Sequence, residues 1–220
     1  YTPFVPATLS EKGEDSTNNN VRVINAQKQA IHDVFDEEGL NSVIRLVRIV
    51  KQPWVVGDVF AQLNLNVPCS SIAKLFDDDS TEVRNFAFSA LARITNRKLD
   101  QLLKLVDMSD MSVNVKARLL LIASDLQSVW PALSGMSKDI ENTYWSEFSI
   151  MGWGNDFKLV NETAQQLSRH GRVAAALDMM AMYSYSDKNS IDPKIIVDLL
   201  QQLMETPDPE TKALSQYDIE

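Results

Sequence analysis

The sequence predicts an all-α fold, an α-solenoid of antiparallel helix pairs, and three observations carry that expectation. Apolar residues recur at helical spacing from Val23 to Met204. The breaks between these runs are short and marked by Gly, Pro or acidic residues, and strand-like alternation bounded by hairpin dipeptides is nowhere convincing. One helix-turn-helix layout also occurs twice, about 32 residues apart.

The elements follow in order. Residues 1–20, with Pro3, Pro6 and the polar run from Ser10 to Asn20, read as a flexible N-terminal tail. Val23, Ala26, Ile31, Val34 and Phe35 lie near helical spacing, and Gly39 supplies a stop. Val43, Ile44, Val47 and Val50 mark the next helix. Pro53 sits in the first turn of another, which continues through Val56, Val59, Phe60 and Leu63. Pro68 opens a short helix from Cys69 to Phe76. Asp79 is placed to cap the helix after it, with Glu82 completing a capping-box-like pair, and that helix runs through Val83, Phe86, Ala87, Ala90, Leu91 and Ile94. Leu99 to Val106 and Val115 to Ile122 mark two more. Trp130-Pro131 and Gly135 interrupt the pattern, and helices resume over 140–148, 157–170, 173–185 and 195–204. The expectation is roughly ten helices of about 8 to 16 residues joined by short loops.

The internal repeat gives this series its layout. Ile72 to Arg84 with the following helix, and Leu102 to Lys116 with its own, both read as apolar helix, acidic turn, valine then cation, and a second apolar helix. Stacking such pairs side by side buries one stripe of each helix. The run Asp78-Asp79-Ser80-Thr81-Glu82-Val83-Arg84-Asn85-Phe86-Ala87-Phe88-Ser89-Ala90-Leu91 resembles a HEAT repeat. That resemblance implies a polar ladder within and between repeats, here through Asp79 and Arg84; the second copy departs, with Lys116 in place of arginine. Leu167 to Leu177, with Gly171 at the bend and Ala174 to Ala176 after it, resembles a tetratricopeptide-like turn without that family's full pattern. The expected organisation is a tail over 1–20, HEAT-like repeats over 21–134, and tetratricopeptide-like pairs continuing the array over 135–220.

A broader resemblance rests on Glu38-Gly39-Leu40 through Gln52-Pro53-Trp54-Val55-Val56-Gly57, on Tyr144-Trp145, and on Gly171 to Leu177. These stretches look like the helical part of very large bacterial proteins, several of which join an N-terminal effector or nucleotide-binding domain to a long helical sensor. The resemblance implies a sensor or scaffold segment, with anti-phage defence as one setting. Starting at Tyr1 without a methionine and stopping at Glu220, the chain reads as part of a longer polypeptide.

Composition removes several function classes. The 220 residues are 45% hydrophobic and 23% charged, as in ordinary globular proteins. A net charge of −9 with no run of Lys and Arg argues against a surface that tracks nucleic-acid phosphates or an anionic membrane. No apolar stretch approaches the roughly 20 residues needed to span a bilayer. One cysteine, Cys69, and two histidines make neither an internal disulfide nor a Cys/His metal cluster, which points to a reducing, cytoplasmic setting.

Candidate chemistry is thin. Asp77-Asp78-Asp79 lacks the glycine and distal carboxylate of a calcium loop and reads as an acidic turn favouring the next helix N-terminus. His32 and Asp36 share a helix face without a third ligand, and His170 before Gly171 reads as a helix-end residue. Ser71-Ile72-Ala73-Lys74 matches an acyl-transfer pattern whose companion triplets are absent. Gly152-Trp153-Gly154 lacks the third glycine of a dinucleotide fingerprint, and Asn161-Glu162-Thr163 is a glycosylation acceptor inside an expected helix. No catalytic residue, metal ligand or cofactor site is therefore expected.

The candidate interaction residues are Tyr144, Trp145, Phe148, Met151 and Trp153, because aromatics and methionine concentrate at interfaces; they also suit a core junction. Met179, Met180 and Met182 present a similar choice, since two adjacent helical positions are not expected to face one core. The expected role is a non-catalytic scaffold or sensor segment that contacts a protein or other domains of its own polypeptide. A spacer or oligomerisation arm, and an enzyme with an unrecognised site, are the alternatives.

Overall fold

The computed structural model describes residues 16–108, 110–149, 159–184 and 191–205, with side chains from Val21 onward. Among the described residues the chain forms twelve α-helices and one 3-10 helix, with no strand. The all-α class expected from apolar spacing is what the backbone adopts.

Two compact units divide the chain, Tyr1–Glu141 and Asn142–Glu220. The division falls inside one helix, α9, whereas the sequence reading placed the change of repeat type at residues 134–135.

In the first unit, α1 (Ser16–Glu38) starts earlier than Val21. Residues 16–20, expected as tail, are helical, and the rest of that expected tail lies outside the described residues. Ser, Thr and Asn are tolerated at a helix start because their side chains serve its unpaired amides. Gly39, at φ 64°, turns the chain into α2 (Leu40–Val47). The buried Ser42 hydroxyl locks this corner by donating to the carbonyl of Val34 at 2.5 Å.

After α3 (Pro53–Gln62) come α4 (Cys69–Ala73), the 3-10 helix η1 (Lys74–Asp77) and α5 (Thr81–Ile94). An edge-to-face series of rings joins α1, α3 and α5: Phe35 to Phe60 at 6.1 Å between centroids, then Phe60 to Phe86 at 5.4 Å. Val83, Phe86, Ala87, Ala90 and Leu91 of α5 are buried as expected, while Ile94, in the last turn, is exposed.

The pair α6 (Leu99–Val106) and α7 (Val113–Leu121) follows. The two repeated segments start their second helices alike. Ser80 and Ser112, 32 positions apart, are both N-caps, accepting from the amides of Val83 at 3.3 Å and Val115 at 3.1 Å. Both valines are fully buried.

Next is α8 (Leu126–Ser134), in which Pro131 is internal, so Trp130-Pro131 does not break the helix. Proline removes one amide and crowds the preceding turn. Asp125 offsets this by capping the helix start, accepting from the Ser128 amide at 3.3 Å, and buried Val129 and Leu133 pin the helix on either side of the proline.

Helix α9 (Lys138–Glu147) spans the division between units. The second unit continues with α10 (Val160–Arg169), α11 (Val173–Ser184) and α12 (Pro193–Glu205). Between α10 and α11, Gly171 at φ 76° closes a Schellman motif: the Arg172 amide donates to Leu167 at 2.9 Å and the Gly171 amide to Ser168 at 3.0 Å. Helix α11 lies against both α10 and α12, so Met179 and Met180 are both buried and only Met182 of the three is exposed. The expectation that adjacent methionines cannot both face a core fails because a helix covered on two sides has no single core face.

Candidate interaction surface

Three of the aromatic residues picked out for interaction are interior. Tyr144, Trp145 and Phe148 are 0%, 1% and 3% exposed. Their rings pack on one another, Tyr144 edge-on to Trp145 at 5.2 Å, and the Trp145 indole stacks on His170 at 5.8 Å and 20° between planes. Arg172 closes the cluster: its Nη1 donates to the carbonyls of Trp145 at 3.0 Å and Phe148 at 2.7 Å. The last carbonyls of a helix have no partner within it, and a cation is favoured there. These three aromatics are therefore part of the second unit's interior. Met151 and Trp153 lie outside the described residues.

The expected ladder pair behaves differently too. Asp79 does not cap α5; Ser80 does, while its own amide donates to Asp78 Oδ1 at 2.9 Å. Arg84 meets Asp79 only at the main chain, donating to the carbonyls of Asp78 at 2.7 Å and Asp79 at 2.9 Å, and to Thr81 Oγ1 at 2.9 Å. Asp78 is extended, at ψ 141°, so the turn's carbonyls are left out of any helix and Arg84 folds back to serve them. Side-chain links to neighbouring elements run through Asp78 and Asp77. Arg48 reaches Asp78 Oδ2 at 2.7 Å, and Ser112 Oγ donates to Asp77 Oδ1 at 2.8 Å. Lys74 pairs with Asp110 at 2.6 Å, and Arg118 donates to the Phe76 carbonyl.

The remaining candidates are accounted for locally. His32 Nδ1 lies 3.0 Å from Asp36 on an exposed face, and no group of three metal-ligating side chains occurs among the described residues. Of the Ser71 to Lys74 motif, Ser71 is exposed and Lys74 pairs with Asp110. Asn161 Oδ1 accepts from the Asp192 amide at 3.1 Å, and Thr163 is fully buried, donating to the Leu159 carbonyl. Gly152 to Gly154 lie outside the described residues.

An open groove of about 740 Å³ on the α3 and α5 faces of the first unit went unnoticed in the sequence. Trp54 and Asp58, one helical turn apart on α3, form one wall; Phe88 and Arg93 of α5, with Asn96 and Arg97 beyond its end, form much of the other. The crossing is close because Gly57 carries no side chain. At the end of α5, Asn96 and Arg97 take left-handed conformations, φ 49° and 55°, in a second Schellman closure whose Arg97 amide donates to Ala92 at 3.1 Å. The Arg97 carbonyl accepts from the Ser124 amide at 3.4 Å, which ties this corner to the end of α7.

Trp54 is 50% exposed. Arg93 spans to Asp58 at 3.7 Å, and Gln62 Nε2 donates to the same carboxylate at 2.9 Å. The Arg97 guanidinium has no carboxylate in ion-pair range among the described residues. Two signals of this surface were legible: a tryptophan off the Val56, Val59 and Phe60 stripe, and like charges at Arg93 and Arg97, four residues apart in sequence.

Comparison with family models, curated proteins and solved structures returned no match. No helix among the described residues is long and apolar enough to cross a membrane.

Proposed function

We propose that the chain is a non-catalytic helical-repeat module, a scaffold or sensor segment of a larger bacterial protein. In this reading it holds a segment of a partner protein, or of another domain of its own polypeptide, on the α3–α5 face. The observation that carries the reading is the groove beside Trp54: a half-exposed tryptophan, and an arginine with no acid partner among the described residues, beside the close α3–α5 crossing at Gly57. Tryptophan and arginine are enriched at interaction hot spots, and a site on packed helices is better fixed than one on loops.

HEAT-like stacking of the first unit is supported by the serine caps 32 positions apart and by the polar links from the Asp77-Asp78 turn to Arg48 and Ser112. A solenoid of antiparallel pairs, with a tetratricopeptide-like second part, is the architecture we propose. The net charge of −9 sets the reading apart from nucleic-acid and membrane binding and fits a cytoplasmic protein partner.

One observation favours an oligomerisation arm instead. Val197, Leu200 and Met204 form an exposed apolar stripe on α12, at 52%, 47% and 86% exposure. Selection from a random-peptide display library separates the two. An interaction module yields binders that are lost on Trp54→Ala. An arm yields none, and light scattering shows self-association that a triple Val197→Ser, Leu200→Gln, Met204→Gln variant abolishes.

A further inference from the structure

We propose that the groove takes an acidic peptide, with an aromatic or branched apolar side chain against Trp54 and Phe88 and a carboxylate on Arg97; this rests on the interaction-module reading above. The charge argument is local. The chain carries −9 overall, yet the groove lining holds two arginines against one aspartate. Asp58 is already engaged by Arg93 and Gln62, which leaves Arg97 as the cation available to an incoming group.

Long-range repulsion between an acidic chain and an acidic peptide falls off within about 8 Å at physiological salt. A carboxylate that reaches Arg97 makes a charge-assisted, two-pronged contact at hydrogen-bond distance. The short-range term therefore decides. It also disfavours a basic peptide, which would set its cations against Arg97 and would have to displace Arg93 from Asp58.

The apolar half of the site is independent of this charge. Half of Trp54 is open to solvent beside the partly exposed Phe88 ring, and flat aromatic walls accept a ring or a branched aliphatic side chain. The main chain of Arg97 is fixed from below, since its amide and carbonyl are both bonded within the first unit, while its side chain is exposed and free to meet an incoming group. Such a site selects by chemistry rather than by a long sequence: one apolar anchor flanked by Asp or Glu.

The test uses the full chain and two fluorescein-labelled hexapeptides, Glu-Asp-Phe-Glu-Leu-Asp and its counterpart with lysine at every acidic position. Both are titrated by fluorescence anisotropy at about 0.15 M salt. The acidic peptide is expected to bind at least tenfold tighter. Arg97→Glu should erase or invert that order, and Trp54→Ala should weaken the acidic peptide without changing the order.

Circular dichroism verifies the fold of each variant, and the neutral Arg97→Gln stands in should the charge reversal unfold the chain. Preference for the lysine peptide, binding unchanged by both Arg97 substitutions, no binding of either peptide, or displacement by polyuridylate at lower concentration than unlabelled acidic peptide would each overturn the proposal. Library binders that need Trp54 but lack acidic residues would sink it while leaving the interaction-module reading intact. A library without Trp54-dependent binders would sink both.

Discussion

Gly57 of α3 faces the main-chain carbonyl of Phe86 in α5 so closely that a Cβ on Gly57 would stand 2.4 Å from that oxygen. The obstacle is backbone inside a helix, so it cannot swing aside as a side-chain end could. Helix propensity alone would reward Gly57→Ala by about 1 kcal/mol. Overpacking typically costs about 1–3 kcal/mol, and a contact this short sits at the upper end of that range. The variant should lose about 1–2 kcal/mol net in urea denaturation. A raised midpoint would show that the crossing is looser than described.

Arg172 should matter more than its half-buried position implies. Replacing it with methionine removes donors from two carbonyls at the end of α9, and hydrogen bonds from a charged group contribute about 1.5–3 kcal/mol. Arg172→Lys should fall between, because an ammonium lacks the fork that meets both oxygens. Denaturation followed by tryptophan fluorescence reports this, and equal stability of all three proteins would remove Arg172 from its capping role.

Packing and surface charge should separate cleanly in the first unit. Phe86 is fully buried against the Phe60 ring, and truncation to alanine is expected to cost about 3–5 kcal/mol. The Arg48–Asp78 pair is short but Arg48 is 47% exposed, so a double-mutant cycle should give less than about 1 kcal/mol. A coupling as large as the Phe86 effect would mean that this polar link ranks with core packing in holding the first unit together.

Acid should weaken the fold through three exposed carboxylates. Arg45 holds Glu38 below the usual glutamate range by a hydrogen bond and then by charge; the Ser80 hydroxyl bond does the same for Glu82, and the Lys74 hydrogen bond for Asp110. Groups lowered in the folded state bind fewer protons there than in the unfolded chain. Their stabilisation is present above the ordinary carboxylate values near about pH 4 and is lost as pH falls through the lower folded values. Melting temperature from neutral pH downward should stay level and then drop in that window. Lys74→Met should shrink the drop, and an unchanged acid limb would exclude the Asp110 pair from it.

Helix placement was legible because each helix writes its buried face into its own spacing, as Val83, Phe86, Ala87 and Leu91 do. What depends on a second element was not. Met179 and Met180 are both interior because α11 has neighbours on two sides, which a one-helix pattern does not record. Asp79 looked like the cap because Glu82 stands three residues on, the capping-box spacing; Ser80 caps instead, with Val83 at that position, and the choice turns on the backbone angles of the turn. Tyr144, Trp145 and Phe148 have the composition of an interface, yet His170 and Arg172, more than twenty residues on, close over them. The groove escaped notice for the converse reason: its walls come from two helices whose closeness rests on a missing Gly57 side chain.

The Ser112 hydroxyl accepts the amide of Val115 and gives its own proton to Asp77, so one oxygen both starts α7 and fastens it to η1. Opening the first turn of α7 therefore also loosens its side-chain link to η1. Under the stacked arrangement proposed above, such a shared oxygen is one way for neighbouring elements to open together instead of fraying one by one. Amide hydrogen exchange at Val115 and at Asp78 should accordingly report a common opening free energy, and Ser112→Ala should divide it into two.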